Sequence, residues 1–251
     1  MKIDGKAIAE QMLTDLAAKH IPATLAVISL SEDPASSAYI RQKQKAADRI
    51  GAKIIISDTL SDLDRFNSDP TIHGIIVQRP LPAGVGEYHV AAGKDVDGFE
   101  PHSPFDIPVA MAVWKLIEST GQMPKNFVVV GRGETAGAPI ARYLEKRDCT
   151  TSIIHSKTPN PVSIMKQADC IISCVGKERA VTADAIKPGV ILIGVGLWRD
   201  NEGKLRGDYN EEEIANIASY YTPTPGGVGP VNVACLMHNL VKAAEQKITA
   251  H

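Results

Sequence analysis

The chain has 251 residues, a formal net charge of −2 and a pI near 6.4. This length allows one large domain or two modest ones, with a core that needs no disulfides. The near-neutral charge gives no general attraction to nucleic acid or to an anionic membrane, so neither partner is expected. No apolar run approaches the roughly 18 residues of a membrane helix, and no secretory signal is evident.

The four cysteines show no zinc-like pairing, and two of them, Cys170 and Cys174, lie in an apolar, strand-like run. A buried free thiol is the expected state in such a run. Unpaired cysteines suit a reducing compartment. We therefore expect a cytoplasmic protein, and no metal site is evident in the sequence.

Helical and strand-like patterns alternate along the first hundred residues. Asp33 is a suitable N-cap, and Pro34 fits the first position of the helix that follows it. The alternation is typical of a parallel sheet covered by helices on both faces. Helices are predicted at residues 4–19, 33–50 and 62–66, and strands at residues 23–30, 53–56 and 72–77.

The helix at residues 33–50 carries Lys43 on the face that should point inward. At about 100° per residue, Ser36, Tyr39 and Ile50 share this face. A lysine that loses water has a lowered pKa and becomes available for proton transfer. From this helix alone, the simpler interpretation is a lysine whose stem covers apolar surface while its amine reaches solvent.

Two loops in this half carry candidate polar groups. Gln78 follows the strand at 72–77, at the carboxyl edge where open α/β sheets bind ligands, although a simple turn with a polar cap is the alternative. Asp95 and Asp97 lie in the sequence K-D-V-D-G-F, which lacks the further oxygen ligands of an EF-hand. They are expected either to bind donor groups of a ligand or to form a plain polar turn.

The second half opens with a helix at 108–119, where we place the crossover between domains. A strand at 126–130 then leads into the spacing G-x-G-x-x-x-G from Gly131 to Gly137, followed by a helix at 140–146. This spacing is one residue longer than the dinucleotide fingerprint. The glycines allow close backbone approach, and the helix N-terminus attracts phosphate.

The strand at 151–155 ends without the acidic residue that would hold the ribose 2′-hydroxyl of NAD. Ser156 and Lys157 follow it instead, and Arg132 lies in the first glycine loop, so NADP is favoured over NAD. Apolar strands at 170–175 and 190–195 both lead into glycine. The proline- and glycine-rich residues 222–230 predict a shaped backbone surface, and a final helix is predicted at 231–247.

Together these motifs resemble one family, the bifunctional methylenetetrahydrofolate dehydrogenase/methenyltetrahydrofolate cyclohydrolases. The resemblance covers nearly the whole chain, and the motifs stand in the family's order. They are S-x-x-Y-x-x-x-K at 36–43, V-Q-x-P-L-P at 77–82, K-D-V-D-G-F at 94–99, G-R-x-x-x-x-G-x-P at 131–139, H-S-K-T at 155–158, V-G-K at 175–177 and P-G-G-V-G-P at 225–230.

The resemblance implies an α/β protein of two α/β domains with a cleft between them, the second a Rossmann-type NADP-binding domain. Residues 1–110 with 229–251 would form the catalytic, folate-binding domain, and residues 111–228 the NADP-binding domain. The implied enzyme oxidises 5,10-methylenetetrahydrofolate with NADP+ and hydrolyses the methenyl product to 10-formyltetrahydrofolate, in one-carbon metabolism and purine biosynthesis. A homodimer is also implied.

The resemblance also assigns roles to residues. Gln78 would hydrogen-bond Lys43, and either Asp95 or Asp97 would take the donors of the pterin. The implied catalytic residues are Lys43, Tyr39, Gln78 and Asp95. The implied substrate-binding residues are Ser36, Tyr39, Val77, Gln78, Arg79, Asp95, Asp97, Pro225, Gly226, Gly227, Val228 and Gly229. The implied cofactor-binding residues are Gly131, Arg132, Gly133, Glu134, Thr135, Ser156, Val175, Gly176 and Leu197.

The chain departs from the family pattern in places. Gly133 stands where a serine is usual, Arg79 replaces a common leucine, and the connection between residues 99 and 127 is shorter than usual. A dehydrogenase with weak or lost cyclohydrolase activity is one alternative. A NADP-binding regulator without catalysis is another, and the retention of Lys43 and Gln78 argues against it.

Overall fold

The computed structural model describes residues 1–31 and 34–249. The chain divides into two compact units. The Lys43 unit consists of Ala9–Pro108 and Val233–His251, and the Gly131 unit consists of Met1–Ile8 and Val109–Asn232. Within the described residues, no helix combines the length and apolar character needed to span a bilayer.

The Lys43 unit is built on a three-stranded parallel sheet in the order β2-β1-β3. Leu25 of the central strand lies opposite Ile54 on one side and Gly74 on the other. The elements in chain order are α1 (Gly5–Ala17), β1 (Thr24–Ile28), α2 (Pro34–Ile50), β2 (Lys53–Ser57), α3 (Leu63–Ser68) and β3 (Gly74–Val77).

Two apolar clusters cover the faces of this sheet. On one face, Leu25 and Val27 pack with Ala47 of α2. On the other, Ile28 packs with Phe66 of α3. Because β1 and β3 are buried on both faces, their sequences are continuous apolar runs rather than alternating ones. The edge strand β2 is also apolar, but its Ile55 and Ile56 are exposed. The sheet thus fixes the carboxyl end of β3 beside the buried face of α2.

The Gly131 unit contains a five-stranded parallel sheet in the order β10-β7-β6-β4-β5 and a separate antiparallel pair, β8-β9. Lys2 forms a parallel bridge with Tyr221 at the β10 edge. Its elements are α4 (Pro108–Glu118), β4 (Asn126–Val130), α5 (Gly137–Glu145), β5 (Thr150–Ile154), α6 (Pro161–Met165), β6 (Cys170–Ser173), β7 (Ile191–Gly194), β8 (Leu197–Arg199), β9 (Leu205–Gly207), α7 (Glu211–Ile214), β10 (Tyr220–Tyr221) and α8 (Val228–Thr249), the last continuing into the Lys43 unit.

The predicted α/β class with two domains and parallel sheets is confirmed. The predicted start of the last helix at residue 231 is wrong, because α8 begins at Val228. Pro230 is tolerated there, since the first turn of a helix does not need its N–H. The N-cap prediction for Asp33 lies outside the described residues. Cys170 is buried as expected, whereas Cys174 is partly exposed because β6 ends at Ser173.

Candidate active site

Lys43 of α2 and Gln78, which follows β3, form a hydrogen bond within the Lys43 unit. Nζ of Lys43 donates to Oε1 of Gln78 at 2.6 Å. The backbone N–H of Gln78 donates to the carbonyl of Ile28 at 2.8 Å, and its Nε2 donates to the carbonyl of Arg79 at 2.9 Å. Because the backbone and Nε2 of Gln78 are both held, its amide oxygen is fixed in position for the lysine.

Lys43 is buried, with only 9% of its surface exposed. Ala46, Ala47 and Ile50 are buried on the same helix, which is the face that the helical periodicity predicts. The interpretation in which the Lys43 amine reaches solvent is therefore wrong. Burial lowers the pKa of Lys43, and the negative charge of Asp97 opposes this by favouring the ammonium form.

The first two residues of the K-D-V-D-G-F sequence shape its loop. Nζ of Lys94 donates to two backbone carbonyls at the carboxyl end of α3, each at 2.7 Å. The carboxylate of Asp95 accepts the backbone N–H groups of Gly98 and Glu100 at 3.1 and 2.8 Å. Both side chains are buried and already bonded to the protein backbone, so their role in the structure is to hold the loop.

Asp97 differs from its neighbour Asp95. It is partly buried, and within residues 1–31 and 34–249 its carboxylate accepts no hydrogen bond. Burial raises the pKa of Asp97, while the positive charges of Lys43 and Arg79 oppose the rise. Asp97 is therefore the acidic group of this loop that has acceptor capacity left for a ligand.

Asp97 lines a cavity of about 630 Å³ in the Lys43 unit. The guanidinium of Arg79 lies 4.5 Å from the centre of the Phe99 ring, and its Nη2 donates to the hydroxyl of Tyr88 at 3.1 Å. Burial raises the pKa of Tyr88, which keeps that hydroxyl protonated. Sequence reasoning missed Tyr88, because residues 83–93 have neither periodicity nor a motif. Further lining residues include Val77, Asp95 and Glu100.

The other predicted substrate residues of this unit occupy α2 and β3. Tyr39 lies one turn before Lys43 and is 37% exposed. Val77 is the last residue of β3 and is buried. Ser36 lies in the first turns of α2, and its side chain is outside the described part of the structure. The Lys43 unit thus brings together Lys43, Gln78, Arg79 and Asp97.

In the Gly131 unit, the glycine loop makes contacts that a side chain would prevent. Gly131 has a φ of +103°, and a Cβ placed on it would lie 3.0 Å from the carbonyl oxygen of Cys174. A Cβ on Gly137 would lie 2.1 Å from the carbonyl oxygen of Gly131. Gly133, in contrast, faces open space. The chain therefore turns back on itself at the N-terminus of α5, as close approach to a phosphate requires.

The remaining cofactor candidates lie at one edge of the five-stranded sheet. The strands β4, β5, β6 and β7 are parallel and lie within one contiguous part of it, so the loops at their carboxyl ends share that edge. Ligands of open α/β sheets bind at this edge. The exposed candidates there are Arg132, Gly133, Glu134, Thr135, Ser156, Val175 and Leu197.

The predicted folate loop at residues 225–229 also belongs to the Gly131 unit. The peptide bond before Pro225 is cis, and Gly226 has a φ of +106°. A Cβ on Gly5 would lie 2.1 Å from the carbonyl oxygen of Gly227, so Gly5, which belongs to the same unit, packs directly on this loop. Val228 and the glycine after it are not loop residues as predicted but form the start of α8.

Comparison with known proteins identifies the family to which this chain is similar. Residues 3–97 match the family model for the catalytic domain of tetrahydrofolate dehydrogenase/cyclohydrolase, and residues 108–248 match the model for its NAD(P)-binding domain. The bifunctional protein FolD of Polaromonas sp. is 38% identical over 97% of this chain and 98% of that protein. The FolD of Geobacillus thermodenitrificans is 37% identical, over 97% of each.

Solved structures agree with this. The bifunctional FolD dehydrogenase/cyclohydrolase of Campylobacter jejuni superposes with a TM-score of 0.91 at 32% identity, covering 98% of this chain and 99% of that one. The Trypanosoma brucei enzyme, complexed with NADP cofactor and an inhibitor, superposes with a TM-score of 0.92 at 28% identity, covering 99% and 98%. This chain therefore belongs to the tetrahydrofolate dehydrogenase/cyclohydrolase family.

Proposed function

We propose that this chain oxidises 5,10-methylenetetrahydrofolate to 5,10-methenyltetrahydrofolate with NADP+, and hydrolyses that product to 10-formyltetrahydrofolate. The observation that carries the proposal is the buried amine of Lys43, held by Gln78 in the same unit as the cavity that Asp97 lines. A desolvated lysine at a fixed position is suited to proton transfer. Family membership supplies the reaction class for which that group is used.

In the hydrolysis, water adds to the methenyl carbon and releases one proton. The bond from that carbon to N5 of the folate then breaks, N5 takes up the remaining hydroxyl proton, and the carbon is left as the 10-formyl group. Lys43 is the group we assign to orient this water and move its proton. Because burial lowers the pKa of Lys43, more of the neutral amine is present than for an exposed lysine. Gln78 fixes the position of the amine, since its Oε1 accepts a hydrogen bond from Nζ of Lys43.

For folate binding, we assign Asp97 rather than Asp95 to the N–H donors of the pterin. Asp97 has free acceptor capacity, whereas Asp95 is committed to two backbone N–H groups. Tyr39 is assigned to pack on the folate. The other residues assigned to folate are Ser36, Val77, Gln78, Arg79 and the loop 225–229.

For the cofactor, the observed glycine turn fits a dinucleotide phosphate. The close contact of Gly137 with the carbonyl of Gly131 brings the glycine turn against the N-terminus of α5, whose dipole favours an anion. When bound, NADP+ supplies the hydride acceptor for oxidation of the folate methylene group. The residues assigned to hold it are Gly131, Arg132, Gly133, Glu134, Thr135, Ser156, Val175, Gly176 and Leu197.

A preference for NADP+ over NAD+ follows from the charges after β5. The four residues that follow Ile154 include no acid, whereas Ser156 and Lys157 are exposed there. Arg132 is exposed on the loop after the neighbouring strand β4. Donors and positive charge without a carboxylate suit a ribose 2′-phosphate rather than a 2′-hydroxyl.

We assign the folate-binding domain to residues 1–110 with 229–251 and the cofactor-binding domain to residues 111–228, of which residues 225–228 also contact folate. We further propose a homodimer, supported by the family resemblance, and a cytoplasmic location, supported by four free cysteines. Light scattering coupled to size-exclusion chromatography tests the dimer. A monomeric mass at micromolar concentration contradicts it.

One absorbance experiment tests the function. The purified chain is mixed with methylenetetrahydrofolate and either NADP+ or NAD+, and the methenyl product is followed as it rises and then decays. We expect a rise that is larger with NADP+ and a decay that follows hydrolysis. No rise with either nucleotide contradicts the dehydrogenase. A rise that decays no faster than in buffer contradicts the cyclohydrolase alone.

A further inference from the structure

A buried carboxylate outside the sequence motifs holds the loop that follows β6. We propose that Asp208 is a positioning residue that keeps residues 174–177 in the shape that binds the cofactor. This inference rests on the proposed function, because it takes NADP as the ligand of that loop. Asp208 follows β9 directly and is completely buried. Nothing in its sequence context distinguishes it from an ordinary turn aspartate.

The Asp208 carboxylate accepts three hydrogen bonds from one short segment. Ser173 donates its hydroxyl to Oδ2 at 2.6 Å, and the backbone N–H of Val175 donates to the same oxygen at 2.9 Å. The backbone N–H of Lys177 donates to Oδ1 at 2.9 Å. The two oxygens thus bind both ends of the loop and fix its curvature around Gly176, which has a φ of +69°.

Within the described residues, these three donors are the hydrogen-bond partners of the Asp208 carboxylate. Within the described part of the chain, no cationic side chain forms an ion pair with it. A buried carboxylate without a counter-ion is unfavourable unless its hydrogen bonds are kept. Moving the loop away from Asp208 would therefore cost free energy. A rigid loop binds a ligand with less loss of conformational entropy than a mobile one.

The loop after β7 packs against the same carboxylate and is hydrogen-bonded to the segment that it holds. The backbone N–H of Gly196 donates to the carbonyl of Ser173 at 2.9 Å. A Cβ on Gly196 would lie 2.2 Å from Oδ2 of Asp208 and 2.4 Å from the backbone nitrogen of Gly176. Asp208 therefore lies between two loops at the carboxyl edge of the sheet.

These two loops present apolar surface at the edge where the cofactor binds. Val175 and Leu197 are each 37% exposed, although both are apolar. Val175 donates its N–H to Asp208, and Leu197 directly follows Gly196, which packs against Asp208. The buried carboxylate of Asp208 thus sets the positions of two apolar side chains that, in this proposal, cover the ligand.

The test is Asp208→Asn, which keeps the size but replaces one acceptor oxygen by an amide donor. One loop N–H then faces another donor, and we expect the Kd for NADP+, measured by fluorescence titration, to rise at least about tenfold. Hydrolysis of methenyltetrahydrofolate needs no cofactor and should stay within about twofold of wild type. Ser173→Ala, which removes one of the three donors, should give a smaller rise in Kd.

Asp200→Asn is the matched control. Asp200 also accepts two backbone N–H groups, from Glu202 and Lys204, but holds the turn of the β8-β9 hairpin. Its variant should bind NADP+ like wild type. A folded Asp208→Asn protein with wild-type Kd overturns the proposal. If that variant does not fold, an unchanged Kd in Ser173→Ala overturns it instead.

Loss of both cofactor binding and hydrolysis in Asp208→Asn would assign the residue to folding alone and would also overturn the proposal. Failure of the proposed function has a different signature. In that case the wild-type chain forms no methenyl product, yet its NADP+ titration remains measurable and the comparison with Asp208→Asn still decides the inference.

Discussion

The opposite charges of Lys43 and Asp97 each reduce the pKa shift that burial causes in the other residue. Burial lowers the pKa of Lys43 and raises that of Asp97, whereas their mutual attraction favours the charged form of both. Burial is the larger effect for each group. The folded protein therefore holds an amine and a carboxyl group that both give up charge more readily than in water.

Replacing Lys43 by methionine separates the two proposed activities. We expect Lys43→Met to lose at least about 100-fold in the rate of methenyltetrahydrofolate hydrolysis, since positioned proton transfer contributes that much. NADP+ binding should be unchanged, because its assigned residues lie in the other unit. The control is Lys45→Met, an exposed lysine on the same helix. Hydrolysis at the wild-type rate by Lys43→Met would refute the assigned role.

The same variant has a pH-dependent effect on stability. The pKa of Lys43 is lowered in the folded state, so its ammonium form reduces the free energy of unfolding at every pH below that folded value. This reduction in the free energy of unfolding disappears as pH rises from the pKa of Lys43 in the folded state to its pKa in the unfolded state. Thermal unfolding should therefore show Lys43→Met at least as stable as wild type near pH 7, with an advantage that shrinks at alkaline pH. A constant difference across that range would count against the lowered pKa.

Substituting the two aspartates of the K-D-V-D-G-F motif should affect stability differently. Asp95→Asn should lower the free energy of unfolding by about 1–3 kcal/mol, because one backbone N–H loses its acceptor. Asp97→Asn breaks no hydrogen bond in the described chain and removes a carboxylate whose pKa burial has raised. It should not destabilise the protein near pH 7, and its KM for the folate should rise. Urea unfolding and steady-state kinetics distinguish the two, and equal loss of stability would contradict the assignment of Asp97 to the ligand.

Two glycines of the cofactor loop provide a matched pair. Gly137→Ala puts a Cβ 2.1 Å from a backbone carbonyl oxygen, so the turn must open and NADP+ affinity should fall at least about tenfold. Gly133→Ala meets no protein atom, so the turn is kept and the loss of NADP+ affinity should be smaller than in Gly137→Ala. Isothermal titration of both variants with NADP+ measures this. Equal affinity in the two variants would show that the tight turn does not determine binding.

The sequence predicted most of the larger elements because their apolar periodicity is local. It did not predict α6, α7, β8, β9 or β10, which have two to five residues each and too few positions for a period to be visible. Burial of Lys43 could not be decided from its helix, since the deciding partner, Gln78, lies 35 residues away. Asp208 gave no signal, because the three donors that surround it are brought there only by the folded sheet.

The edge of the Gly131 sheet is completed by residues from the far end of the chain. Ile3 donates its backbone N–H to the carbonyl of Tyr221, and the amine of Met1 donates to the carbonyl of Ser219, 218 residues away in sequence. During synthesis, a segment made early must therefore wait for β10 before this sheet can close. A fusion placed before Met1 would consequently be attached at the edge of the cofactor-binding sheet. No continuous fragment of the chain contains the whole Gly131 unit without also containing the Lys43 sheet.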